Sequence, residues 1–300
     1  MPRTLTKAKW TLASVALTDA YTDFILSRQA MNCTPATLEF YKYTAGAFLS
    51  WAEAQGITQP EGVTARYVRQ YLAGLANVGR KDTTLHANAR AIRTLLRFWH
   101  AENYLAAPVR FDMPKLAKKR LPVLTADQLQ QIAKACNARD CAIVLFMVDS
   151  GLRRKETINL NWGDVDMQSG LVRVRRGKGK KDRSAVIGAR TRRALLVYRR
   201  ALSARADNSP LFQTREGGRF ASDGFIQIFN RIKRHTGIHV SPHMLRRTFA
   251  ILALRAGTSL LHLQALGGWA TLGMVEHYAQ MVDDDLLQAH RQFSPVDRLK

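Results

Sequence analysis

The stretch PVRFDMPKLAKKRLP, Pro108 to Pro122, decides how this chain can fold. Pro108, Pro114 and Pro122 each lack a backbone donor and fix φ, so neither a helix nor a central strand runs through them. The chain must therefore organise on either side of this point. At 300 residues it is long enough for two modest domains. The expectation is a helical domain over 1–107, a basic interdomain linker over 108–122 and a mixed α+β domain over 123–300.

The first part reads as helices. Thr34-Pro35 matches a cap followed by proline at the first helical position. Leu38, Tyr41, Ala45, Phe48 and Leu49 follow at near-helical spacing, and Gly56 ends the run. A helix from Thr64 to Asn77 presents Val68, Tyr71, Leu72 and Leu75. Another starts near Asp82 and carries Leu85, Ile92, Leu95, Leu96 and Trp99; an earlier one holds Leu17, Tyr21, Phe24 and Ile25. Four helices with basic outer faces result, bearing Arg66, Arg69, Arg90, Arg93 and Arg97.

The second part opens on Thr125-Ala-Asp-Gln128, a capping-box pattern before Leu129 and Ile132. Ala142 to Val148 is apolar throughout and predicts a buried helix ending at Ser150-Gly151. LVRVRRGKGKKDRSAVIG alternates apolar and basic residues around a Gly-rich turn, which predicts a β-hairpin of Leu171–Arg175 and Ser184–Ile187. Helices resume near Arg190, Ser222, Ser241 and Thr258. The fold class is mainly α with a small β-hairpin or sheet.

Charge narrows the partners. Lys and Arg total 46 against 23 acidic residues, a net charge of +23. Both parts of the chain are net cationic, so this is not one basic tail on a neutral body. Two cationic domains joined by a basic linker suit a polyanion, and suggest a clamp around duplex nucleic acid. A membrane surface is the rival, but no apolar run reaches the ~18 residues that span a bilayer. MPRTLTKAKWTLASVAL interrupts its apolar run with Thr and Ser and does not read as a secretory signal. Cys33, Cys136 and Cys141 lack metal-site spacing and are odd in number, which fits a reducing cytoplasm.

Four motifs carry chemistry. In SGLRRKE, Arg153 follows a helix end and needs an anion; Glu156 in the same turn can serve, and so can a substrate. In RRGKGKKDR, Gly177 and Gly179 let a hairpin tip approach a partner's backbone with Lys178 between them. In SPHMLRRTFA, Ser241 caps a helix, Pro242 starts it, and His243 and Arg246 share one face near its N-terminus. That end favours anions; His243 can move a proton near neutral pH and Arg246 can grip two phosphate oxygens. In LGGWATLGMVEHYAQ, Gly267-Gly268 break an apolar helix, Trp269 follows, and Tyr278 stands nine residues further on. Taken alone, a tyrosine on an apolar stripe is a core residue.

In this order the motifs resemble the active site of the tyrosine recombinase (phage integrase) family, and the simple two-domain site-specific recombinases in particular. Arg153, Lys178, His243, Arg246, Trp269 and Tyr278 fall in turn on the family's catalytic positions. The helical first part resembles the family's core-binding domain, so the likeness covers nearly the whole chain. The resemblance implies DNA strand cutting and rejoining through a 3′-phosphotyrosyl link to Tyr278, with a free 5′-hydroxyl. Arg153 and Arg246 would brace the nonbridging oxygens and Lys178 would protonate the leaving oxygen. His243 would act as base or as phosphate ligand. Strand energy is kept in the ester, so no cofactor is expected, and no carboxylate cluster suggests a metal. The implied partners are double-stranded DNA with paired recombination sites and a homotetramer on that DNA. In such an assembly the tail after Tyr278 docks on a neighbour; packing on its own subunit is the alternative. Candidate phosphate contacts are Arg66, Arg69, Arg90, Arg93, Lys118, Lys119, Arg120, Arg175, Arg176, Lys180, Lys181 and Arg247.

This chain departs from the family pattern at three places, one of them the turn at 266–269, which reads Leu-Gly-Gly-Trp rather than Leu-Gly-His. Trp269 replaces the commoner His and cannot shuttle a proton, so packing and hydrogen bonding are its expected roles. Arg247 stands where many members have a second His. Competing readings are a type IB topoisomerase-like enzyme, with the same nucleophile but no synapsis, and a silent DNA-binding architectural protein.

Overall fold

The computed structural model describes residues 15–116, 122–175, 182–202 and 206–279, together with 290, 294 and 296. The chain divides into two compact units between Lys119 and Arg120. It is mainly helical, and the described residues hold one two-stranded antiparallel sheet, the expected fold class.

The first unit holds α1 (Leu17–Ala30), α2 (Pro35–Tyr41), α3 (Ala47–Ala54), α4 (Ala65–Asn77) and α5 (Asp82–Ala101). Thr34 caps α2, its Oγ1 accepting from the Thr37 backbone N–H at 3.3 Å, and Pro35 takes the first helical position. A π-helical turn, Lys42–Gly46, joins α2 to α3 without breaking the rod. Beyond it Phe48, Leu49 and Ala52 of α3 are buried in the core. Four rods result, as the hydrophobic spacing predicts. Phe24, Phe48, Ile92, Leu95, Leu96 and Trp99 fill their centre. The buried Trp99 indole donates from Nε1 to the Ala20 carbonyl at 3.0 Å and so ties α5 to α1.

The described part of the proline-rich stretch packs on this unit. Phe111 is buried, Val109 and Met113 lie against the same core, and Arg93 donates to the Phe111 carbonyl at 2.9 Å. The Arg93 guanidinium also sits over the Phe111 ring, 5.4 Å from its centroid. Residues 117–121, which include Lys118, Lys119 and Arg120, lie outside the described residues.

The second unit begins with α6 (Ala126–Ala135), started by the predicted capping box. The Thr125 N–H donates to Gln128 Oε1 at 3.0 Å and the Gln128 N–H to Thr125 Oγ1 at 3.2 Å. The apolar run forms α7 (Ala138–Ser150), which packs against α6, α9 (Ala189–Arg200) and α11 (Pro242–Arg255). A short helix, α8 (Arg154–Asn159), follows; the sequence gives no periodic sign of one so brief. β1 (Leu171–Val174) pairs antiparallel with β2 (Arg183–Val186), Leu171 facing Val186 and Val174 facing Arg183. Then come α10 (Ser222–Thr236), α12 (Leu260–Gly267) and α13 (Gly273–Ala279). A small separate core of Phe249, Ala250, Leu263, Trp269 and Val275 fastens α12 and α13 to α11. Leu261 on α12 is exposed.

Gly151 ends α7 at φ +61°, and a Cβ there would overlap the Phe249 ring. This position turns the chain from the core helix into the segment carrying Arg153. Gly151→Ala combines a left-handed backbone with an overpacked contact, and is expected to destabilise the protein by about 2–4 kcal/mol. Urea unfolding should show this as a lower midpoint with an unchanged slope; an unchanged midpoint would mean that Phe249 swings aside freely.

Candidate active site

Helix α12 ends in carbonyls that have no partner within the helix. Three arginines take them in succession. Arg183 donates from Nη1 to the Leu266 carbonyl at 3.1 Å, Arg246 from Nη2 to the Gly267 carbonyl at 2.8 Å, and Arg153 from Nη2 to the Gly268 carbonyl at 3.1 Å. The negative end of the helix dipole faces the same cations. Gly268, at φ +63°, bends the chain here, and a Cβ on it would lie 2.5 Å from the Arg183 guanidinium.

Glu156 completes the cluster from α8. Its Oε1 pairs with Arg153 Nη1 at 2.9 Å. Its Oε2 accepts from the Arg153 backbone N–H and from Arg183 Nη2, each at 2.8 Å. Burial alone raises a carboxyl pKa, but these donors and the Arg183 charge outweigh it and hold Glu156 below its usual range. Arg153 therefore does pair with Glu156, yet its side chain keeps 27 % exposure while that of Glu156 keeps 7 %. Part of the Arg153 side chain therefore stays open to solvent.

Arg246 is buried. Besides Gly267 it donates from Nη1 to the Gly151 carbonyl, so two loops fix its plane. Burial first, and then the Arg153 charge, push its pKa down to about 10, which leaves it cationic at neutral pH. Its guanidinium lies 4.2 Å from the centroid of the Trp269 ring. That ring stacks on Phe249 and tilts against Tyr278 at a centroid distance of 5.4 Å. Tyr278, on α13, thus stands one ring away from Arg246.

His243 and Arg247 flank the cluster on α11, whose first turn is capped by Ser241 Oγ accepting from the Met244 N–H at 3.3 Å. Arg247 is half-buried, and its buried Nε has no partner among the described residues. Burial lowers the Arg247 pKa and the nearby Tyr278 oxygen opposes that shift.

The structure thus brings together Arg153, Arg246, Trp269 and Tyr278, with His243 and Arg247 on the same helix as Arg246. Lys178 falls outside the described residues, as do Arg176, Lys180 and Lys181. Among the candidate phosphate contacts, Arg66, Arg69 and Arg90 are exposed, Arg90 over the Phe40 ring at 5.2 Å. Arg93 is committed to Phe111. Arg175 is exposed and pairs with the buried Asp164 at 3.0 Å. Arg183 is the residue that sequence reasoning passed over. Its position closing a run of hairpin charges reads as solvated, and only the fold turns it inward.

The phage integrase family matches residues 122–284, more than half of the chain. The chain belongs to this family. A tyrosine recombinase XerC of Oceanobacillus iheyensis is 28% identical over 280 residues, covering 88% of this chain and 92% of that protein. A tyrosine recombinase XerA of Pyrococcus horikoshii is 31% identical over 231 residues, covering 75% and 79% respectively. Among solved structures, a lambda integrase dimer bound to a COC′ core site matches with a TM-score of 0.73 at 18% identity, covering 88% of this chain and 95% of that one. A XerH site-specific recombinase bound to palindromic difH substrate, in a post-cleavage complex, matches with a TM-score of 0.67 at 19% identity, covering 89% and 83%. At those identities the structures establish the tyrosine recombinase fold.

His243 is exposed by surface area, yet partial desolvation first, and then the charges of Arg247, Arg154, Arg246 and Arg153, lower its pKa from 6.5. Its imidazole is therefore neutral at pH 7. A depressed folded-state pKa stabilises the protein above the unfolded value, and that contribution is lost as pH falls from about 6.5 through the folded value. Imidazole NMR should show His243 titrating below 6.5, and His243→Gln should flatten the loss of stability between pH 7 and pH 5. A midpoint at or above 6.5 would contradict the electrostatics.

Proposed function

We propose that this tyrosine recombinase cuts and rejoins DNA at specific sites through a 3′-phosphotyrosyl intermediate on Tyr278. The Tyr278 oxygen attacks the phosphorus, the bond from phosphorus to the 5′ oxygen breaks, and a 5′-hydroxyl leaves. The phenolic proton passes to a base and the departing oxygen takes one from an acid. The 5′-hydroxyl of another strand then attacks the ester, releases Tyr278 and reseals the backbone. Splitting one exchange into two covalent steps keeps the energy of the broken bond in the protein–DNA ester.

The observation that carries this reading is the contact chain from Arg153 through the α12 turn to Arg246, Trp269 and Tyr278. A nucleophile that reaches phosphorus here finds two guanidiniums already aimed by backbone carbonyls. Preorganised donors of this kind stabilise charge as it builds on the nonbridging oxygens. His243, neutral at pH 7, suits the base role, because it can accept the phenolic proton. Lys178 is the acid in this scheme on the strength of its sequence position. Trp269 holds the Arg246 plane on one side and the Tyr278 ring on the other, a packing role that needs no proton transfer.

The substrate is double-stranded DNA with paired recombination sites, in keeping with the DNA complexes of lambda integrase and XerH. Residues 1–107 act as a core-binding clamp, with Arg66, Arg69 and Arg90 on phosphates; 108–122 links it to the catalytic domain, 123–300. Arg175, Arg176, Lys180, Lys181 and Arg247 add phosphate contacts from the catalytic side. A homotetramer on DNA, with the tail beyond Tyr278 docked on a neighbour, completes the assembly. No helix among the described residues is long and apolar enough to cross a membrane, and the three cysteines are free thiols, which suits work on DNA in the cytoplasm.

Mapping the covalent DNA junction in cells that express the protein gives the target sequence. On a nicked suicide duplex of that sequence, Tyr278→Phe is expected to bind DNA and form no covalent adduct. An adduct that persists in that variant rejects Tyr278 as nucleophile. Arg153→Ala and Arg246→Ala are each expected to slow cleavage by roughly 10²–10³-fold with binding largely kept. Equal losses of cleavage and binding would make them anchors only.

A further inference from the structure

Arg153 is held by two acceptors, the Glu156 carboxylate and the Gly268 carbonyl. Arg183 reaches the same two elements. It donates to the other oxygen of Glu156 and to the carbonyl of Leu266, two residues before Gly268. The two guanidiniums are parallel braces between the start of α8 and the end of α12. Their environments differ. Arg153 is the more open, at 27 % side-chain exposure, and Arg183 is at 15 %. Its Nε is buried without a partner among the described residues, a cost that an ordinary stabilising contact would avoid. Gly268 leaves room for nothing larger beside it.

We infer that Arg183 is a positioning residue for Arg153: by holding Glu156 and the Leu266–Gly268 turn at once, it fixes both acceptors that aim the Arg153 guanidinium. This rests on the reading that Arg153 braces the scissile phosphate. Arg246 ties the same turn to the Gly151 carbonyl, but only Arg183 and Arg153 itself join it to the Glu156 carboxylate, so without Arg183 the spacing of the two Arg153 acceptors rests on Arg153 alone. Arg183 fixes that spacing without touching substrate. It also anchors the first residue of β2, and therefore the root of the hairpin strand, to the same cluster. Lysine cannot replace it. A single ammonium on a flexible stem does not span a carboxylate and a carbonyl in a fixed plane.

The test is a double-mutant cycle on single-turnover cleavage of the nicked suicide duplex carrying the mapped junction. Arg183→Lys keeps the charge and is expected to slow cleavage by about 10²-fold, the scale of a misplacement near 1 Å. Affinity for the same duplex, read by fluorescence anisotropy, is expected to stay unchanged. In an Arg153→Ala background the same substitution should add little, because the residue it positions is gone. An equal fold-loss in both backgrounds overturns the inference, and so does an Arg183→Lys protein that cleaves at the wild-type rate. Thermal unfolding accompanies each measurement. If Arg183→Lys and Arg183→Gln both fail to fold, the residue serves stability rather than aim and the inference also falls. Arg153→Ala cleaving at the wild-type rate would instead overturn the bracing role itself, a distinct result from additivity.

Discussion

Three guanidiniums on three consecutive carbonyls form the interaction on which the rest of the catalytic unit depends. A helix C-terminus usually finishes in water or in a glycine turn that satisfies its own acceptors. Here α12 uses Gly268 to turn, yet leaves the carbonyls of Leu266, Gly267 and Gly268 to Arg183, Arg246 and Arg153. The arginines come from β2, from α11 and from the loop after α7, elements far apart in sequence. The turn gathers them, and their mutual repulsion is eased by the carbonyl dipoles and by Glu156. The same repulsion makes the cluster a favourable place for an anion.

Each side chain in the cluster has two jobs divided between its atoms. Arg246 uses both terminal nitrogens on the backbone and its flat face on Trp269. Arg153 uses one on Glu156 and one on Gly268. A guanidinium has about five donors in a rigid fork, so fixing two of them fixes the direction of the others. Lysine at either place would hold charge without direction. Rigid aim matters for phosphoryl chemistry, where the protein contributes by position and electrostatics more than by covalent change.

Much of this was legible in the sequence. Thr34-Pro35, the Thr125–Gln128 box and Ser241-Pro242 each start a helix, because capping is a local interaction between neighbours along the chain. The hairpin and the apolar α7 follow from period and composition, again local signals. The order of Arg153, His243, Arg246, Trp269 and Tyr278 pointed to a common site because a family resemblance carries three-dimensional information that spacing lacks. Arg183 and α8 were not legible. Arg183 sits among charges that a linear reading assigns to solvent, and its partners lie at positions 156 and 266. The start of α8 is set by Glu156 reaching back to the Arg153 N–H, not by a Ser, Thr, Asp or Asn cap. The π-helical turn at Lys42–Gly46 leaves no mark in the hydrophobic spacing either.

The Gly267–Gly268 pair explains how this chain carries tryptophan where histidine is commoner in the family. The two glycines are required by different neighbours. A Cβ at 268 would press on the Arg183 guanidinium, whereas a Cβ at 267 would overlap the six-membered part of the Trp269 indole. The indole thus occupies the volume that a side chain at 267 would otherwise fill. A side chain at 267 and the indole at 269 therefore exclude one another in this packing. The larger ring then spans from Phe249 to Tyr278 while offering its face to Arg246. The indole thereby forms one wall in contact with both the Arg246 guanidinium and the Tyr278 ring.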